Sequence, residues 1–123
     1  KHLRINWKEG EKHFRNCLLD FNTANNVAQW QWVAGCGADA APYFRIFNPI
    51  LQGEKFDKQG LYVKKWVPEL ERVPNKFIHK PWEMETKYQE AIKTKIGSDY
   101  PSPIVVHEEA RNAALKAFQT LKN

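Results

Sequence analysis

The chain holds two cysteines among 123 residues, Cys17 and Cys36, and neither belongs to a CxxC pair. That excludes a disulfide framework and a zinc-ribbon spacing, and reduced thiols in a cytosolic protein are expected. No apolar run approaches the roughly 20 residues a membrane-crossing helix needs, so no membrane partner is expected. A charged-then-apolar leader is also missing. The first residue is Lys1 and not Met, which predicts that the visible start is a cut inside a longer polypeptide. The four histidines, His2, His13, His79 and His107, never fall in HxxxH spacing, so no metal is expected and all four read as surface groups. Neither a serine elbow nor a cysteine–histidine pairing is legible. Sustained alternation of apolar and polar residues is absent too, and Ile104-Val105-Val106 is only a short β-prone stretch.

What is present is ordinary globular material, with 42% apolar and 27% charged residues. The length fits one compact domain over 1–123. Nineteen Lys and Arg against fourteen Asp and Glu give +5, which is compatible with an anionic partner without naming one. Trp7, Phe14, Cys17, Leu18 and Phe21 recur at helical spacing behind Glu9 and Glu11, predicting a first helix over about 8–20. Asp20-Phe21-Asn22-Thr23 offers capping side chains for a second helix over 24–34, stopped by Gly35 and Gly37. Asp57 suits the N-cap of the run Leu61, Tyr62, Val63, Trp66, Val67, which Pro68 ends. Residues 69–103 are proline-interrupted and polar, and are expected to wrap the surface, with one short amphipathic possibility over 83–96. Behind Glu108 and Glu109 the stripe Ala110, Ala113, Ala114, Ala117, Phe118, Leu121 predicts a terminal helix. The fold class is all-α and loop-rich.

Gly35-Cys36-Gly37-Ala38-Asp39-Ala40 fits the relaxed GxGxxA form of a dinucleotide loop, but an aromatic helix precedes it where a strand is needed. A helix stop accounts for it better. More informative is the run from Asp20 to Trp32. On a helix beginning near Ala24, Asn26 and Trp30 are one turn apart and share a face, whereas Trp32 points about 200° from Trp30. An amide beside an indole suits one side of a planar ligand, and the second indole suits a neighbouring stacking site. Core packing is the bland account of each tryptophan alone. The two asparagines resist it, because they lower helix propensity and need partners if buried.

Asn25-Asn26 through Trp30-Gln31-Trp32-Val33-Ala34-Gly35, followed by Gly37-Ala38-Asp39-Ala40-Ala41-Pro42-Tyr43-Phe44-Arg45-Ile46-Phe47-Asn48-Pro49, closely resembles class I cyclobutane pyrimidine dimer photolyases. The similarity continues through Gln52 to Asp57, Trp66 to Leu70, Tyr100 to Val105 and His107 to Arg111. It covers nearly the whole chain and points to the C-terminal part of the helical FAD-binding domain, with the antenna domain and its chromophore expected elsewhere in a longer protein. The resemblance implies light-driven repair, in which reduced FAD donates an electron to a flipped-out dimer in DNA. It implies a protein that is monomeric when intact, cytoplasmic and nucleoid-associated when bound to DNA.

By position, the resemblance assigns Asp20, Phe21 and Asn22 to the isoalloxazine-lining segment and Asn26 to the flavin's central-ring nitrogen. It makes Trp30 the flavin-proximal and Trp7 the middle tryptophan of a photoreduction relay, and it sets Trp32 against the dimer. Arg45 and Lys55 are its candidates for DNA phosphate, each balanced against a plain solvated charge. The family usually carries Asp where Asn22 stands, and Val27, Ala28 and Gln29 also depart from its pattern. Two other accounts are a cryptochrome-type photoreceptor on the same fold and a cofactor-free basic DNA-binding helical module. Asn26 and Trp32 favour repair over signalling, since plant cryptochromes typically carry Asp and Tyr there.

Overall fold

The computed structural model describes residues 1–39 and 44–121. The motif positions Ala40 to Tyr43 lie outside the described residues, as do Lys122 and Asn123. The described residues form α1 (Trp7–Cys17), α2 (Thr23–Ala34), α3 (Pro49–Phe56), α4 (Leu61–Trp66), α5 (Thr86–Ile92) and α6 (His107–Gln119), with 3-10 turns at Pro68–Leu70, Asn75–Phe77 and Pro81–Glu83. Among them only an isolated bridge, Ile96 to Tyr100, has β character, and Ile104-Val105-Val106 forms no strand. The all-α expectation holds. Packing divides the chain into two compact units, Lys1–Ile46 with Val105–Asn123, and Phe47–Ile104.

In the first unit the Asn6 side chain caps α1, accepting from the Lys8 N–H at 3.0 Å. The helix stops at Cys17, earlier than the expected 20, because Leu18 turns extended (φ −80°, ψ 128°). Residues 18–22 are thereby freed to reverse the chain, and Asn22 becomes the N-cap of α2 by accepting from the Asn25 N–H at 3.0 Å. Gly35 closes α2 in the left-handed region (φ +77°), and the Cys36 N–H returns to the Gln31 carbonyl at 3.1 Å. The GxGxxA run therefore begins as a helix stop. α1 lies so close to α2 that a Cβ on Gly10 would sit 2.6 Å from Cζ2 of Trp30. Glycine is required there for the approach itself. On α6, Ala114 is buried and Ala110, Ala113 and Phe118 are half-buried, whereas Ala117 and Leu121 of the expected stripe are exposed.

In the second unit Asn48 caps α3 through the Ile50 and Leu51 N–H groups at 3.0 and 3.3 Å, with Pro49 in the first turn. Asp57 ends α3, and Gly60 (φ +67°) occupies the cap position of α4 that the sequence suggested for Asp57. Its carboxylate still serves that helix, accepting from the Tyr62 and Val63 N–H groups at 3.2 Å each. The His79 ring bonds the Asp57 carbonyl at 2.7 Å and packs on Gly53, binding α3 to the later turns.

The expectation that 69–103 is surface wrapping is overturned. Leu70, Val73, Ile78 and Met84 are the buried cluster of this unit, with Val63, Val67, Phe77 and Ile92 against it. Their spacing follows successive 3-10 turns and prolines, so no helical or strand period marks them. The amphipathic possibility over 83–96 shrinks to α5, which Lys93 ends in the left-handed region (φ 55°). Removing the side chain of Leu70 or Ile78 would cost about 2–5 kcal/mol.

Candidate functional site

Beside α2 opens a cavity of about 460 Å³. Asn22, Asn25, Asn26, Gln29, Trp30 and Val33 line it at the spacing of one helix face, Asp20 lies at the turn before them, and Phe14 on α1 and Leu18 just past its end complete the lining. Four apolar side chains thus face four amides and one carboxylate. Such a wall suits a flat aromatic ring system whose edge carries both donors and acceptors.

Asn26 is buried, and its Nδ2 donates to the Glu11 backbone carbonyl at 3.0 Å and to Glu11 Oε1 at 3.1 Å. Both neighbours are oxygens, so only the NH2 end of the amide can face them. Glu11 is itself buried and is neutralised by Arg15 one turn on, at 2.7 Å. Sequence reasoning placed Glu11 only in a first helical turn and missed this role. The available signal was the Glu11/Arg15 pair at i and i+4, which says nothing about a residue fifteen positions away. Phe14, Leu18, Asn25, Gln29 and Val33 were likewise not singled out as site residues.

Trp30 stands edge-to-face with Phe14, ring centres 5.2 Å apart and planes at 78°. It also lines a second recess of about 380 Å³, together with Trp7, Phe44, Lys1, Arg4 and Lys8. The structure therefore sets Trp30 between the first cavity and the recess that holds Trp7. Trp32 is 43% exposed and lines neither. The divergence of the two indoles follows from their two-residue separation on one helix.

Of the other expected residues, Asp20 and Asn22 line the first cavity, whereas Phe21 does not and lies beside Arg15, whose guanidinium carbon is 6.0 Å from the ring centre. Asn22 spends its Oδ1 on the α2 cap. Arg45, in the first unit, is exposed, and its backbone carbonyl accepts from Lys1 Nζ. Lys55, in the second unit, is exposed in the last turn of α3 with Nζ 5.1 Å from the Phe56 ring centre.

Among the described residues no group of three potential metal ligands gathers, and no helix is long and apolar enough to cross a membrane. Both cysteines are free and exposed. The histidines are not all plain surface groups: His2 and His107 meet at 2.8 Å, where burial and then the neighbouring His107 hold the His2 imidazole below its ordinary pKa. Their separation in sequence concealed this contact.

Residues 1–120 match the family model described as the FAD binding domain of DNA photolyase. A deoxyribodipyrimidine photo-lyase of Agrobacterium fabrum is 55% identical over 99% of this chain and 26% of its own length. The crystal structure of a bacterial class III photolyase from Agrobacterium tumefaciens superimposes with a TM-score of 0.91 at 55% identity, covering 99% of this chain and 25% of that one. A Synechocystis cryptochrome does so with a TM-score of 0.87 at 37% identity, covering 94% and 24%. The chain spans about a quarter of the length of the curated relatives it matches.

Proposed function

The chain belongs to the FAD-binding-domain family of DNA photolyase, and from that membership we propose that the longer polypeptide carrying it repairs cyclobutane pyrimidine dimers in DNA. The observation that carries the proposal is Asn26 and Trp30, one helical turn apart on the wall of one cavity, with Trp32 turned out of it. Reduced FAD, when bound, supplies the light-excited electron that opens the cyclobutane ring.

The chain's own residues bind, orient and exclude. Asn26 has its Nδ2 held by Glu11, so Oδ1 is the atom left to accept from a ring N–H. Asn22 has its Oδ1 engaged at the α2 cap, so its Nδ2 is the atom left to donate, where an Asp would offer only an acceptor. Phe14, Leu18 and Val33 keep water from the ring faces. Trp30, with Trp7 in the recess on its other side, is the path by which an electron reaches the cavity. Trp32 stacks on the extruded bases, and Arg45 and Lys55 meet phosphate.

The expected partner is dimer-containing DNA, bound by a monomeric, cytoplasmic and nucleoid-associated enzyme whose antenna chromophore is held by another domain. The class I placement expected from the sequence is finer than the family, and the neighbour at 55% identity is described as a class III photolyase. The proposal therefore rests on the repair chemistry and not on the subclass. The likeness to a cryptochrome gives the signalling account the same fold, and Asn26 and Trp32 are the residues that favour repair. The test is the absorbance spectrum of the purified longer protein, followed by light-dependent loss of thymine dimers from an oligonucleotide. A bound flavin without dimer loss supports signalling, and no flavin overturns both.

A further inference from the structure

Gly35, the stop of α2, lies against a pair of stacked phenylalanines: a Cβ there would sit 3.4 Å from Phe44 and 3.4 Å from Phe118. The two rings are 4.2 Å apart and within 8° of parallel. Phe118 covers one face of Phe44, and Lys1 Nζ, 4.3 Å from the Phe44 ring centre, covers the other. The same ammonium donates to the backbone carbonyl of Arg45. Burial holds the Lys1 pKa below its ordinary value, so this cation is partly withdrawn from water.

These contacts fix the chain on both sides of the peptide bond joining Phe44 to Arg45. The Phe44 side chain is held between a ring and a cation, and the Arg45 carbonyl is tied to that cation. Through Gly35 the same stack touches the end of the helix that carries Trp32. We propose that Lys1, Phe44 and Phe118 act as positioning residues for Arg45, holding its backbone on one rigid body with the helix that presents Trp32. This rests on the photolyase assignment and on Arg45 meeting DNA phosphate. A guanidinium on a fixed backbone loses less freedom on binding than one on a loose segment, so the clamp acts on DNA affinity and leaves the flavin cavity untouched. Phe118, on α6, has no place in that cavity.

The experiment measures binding of a thymine-dimer oligonucleotide to the intact flavoprotein across a salt series, for Arg45→Ala, Phe118→Leu, Lys1→Gln and the double variant of Arg45 and Phe118. Arg45→Ala should weaken binding about tenfold and lower the salt slope by about 0.9, the loss of one phosphate contact. Phe118→Leu and Lys1→Gln should each weaken binding about threefold with an unchanged flavin spectrum, and Phe118→Tyr should restore it. In the Phe118→Leu background, Arg45→Ala should add only about threefold, so that the double variant binds like Arg45→Ala alone. Independent multiplication of the two losses, or full affinity in Phe118→Leu, overturns the clamp while leaving the phosphate assignment standing. Should Phe118→Leu not fold, Lys1→Gln paired with Arg45→Ala gives the same cycle. Unchanged affinity and slope in Arg45→Ala overturn the phosphate assignment and the clamp with it.

Discussion

Gly10→Ala sets two effects of known size against each other. Alanine in the middle of α1 raises helix propensity by about 1 kcal/mol. The added Cβ, however, would stand 2.6 Å from Cζ2 of Trp30 and closer still to Cη2 and Cζ3. Ordinary van der Waals contact begins near 3.4 Å, so the indole must retreat by about 0.8 Å or more. Phe14 already stands edge-to-face with that indole, which restricts its retreat. Overpacking of this kind costs about 1–3 kcal/mol, and the large overlap places it at the upper end. The expected net change is a loss of about 1–2 kcal/mol, read by urea unfolding of the intact flavoprotein, with lower flavin content because the displaced ring narrows its cavity. Lys12→Ala, on the exposed side of α1, is the control. Trp30→Phe removes the atoms that the new methyl would strike, so Gly10→Ala in that background should be neutral or stabilising. If Gly10→Ala alone is as stable as the parent with full flavin content, the close approach of α1 to Trp30 is refuted.

Trp32→Ala should weaken dimer-specific binding by about 1–3 kcal/mol, the usual worth of a base stacked on an aromatic, with flavin content intact. Equal loss of flavin in a titration of cofactor per chain would contradict its position outside the cavity. Trp30→Phe should slow photoreduction of the oxidised cofactor while sparing repair by chemically reduced enzyme, and unchanged transient-absorption kinetics would remove Trp30 from the relay. At Asp57, partial burial pushes the carboxyl upward, but the N–H groups of Tyr62 and Val63 and the nearby His79 outweigh it and hold the pKa below the ordinary value. A depressed folded pKa gives stability that is present above the unfolded value of about 3.9 and lost as pH falls through the lower folded one. Protection of the Tyr62 and Val63 amides from hydrogen exchange should therefore fall below about pH 4, and Asp57→Asn should flatten that dependence.

Local chemistry was legible in the sequence because its causes lie a few residues apart. The capping stretch Asp20 to Thr23, in which the structure makes Asn22 the cap, the Gly35 stop and the opposed directions of Trp30 and Trp32 depend only on local chemistry, helix geometry and left-handed backbone preference. The amide-and-indole face of α2 follows from the same period, and with it the candidate site. Contacts between distant segments were not legible. The bond from Asn26 to Glu11, the His2–His107 pair and the Phe44–Phe118 stack join residues whose spacing carries no period. The core at Leu70, Val73, Ile78 and Met84 was hidden for a related reason: prolines and 3-10 turns aim those side chains inward one at a time, so burial there is set by how the path folds back and not by any repeat along it.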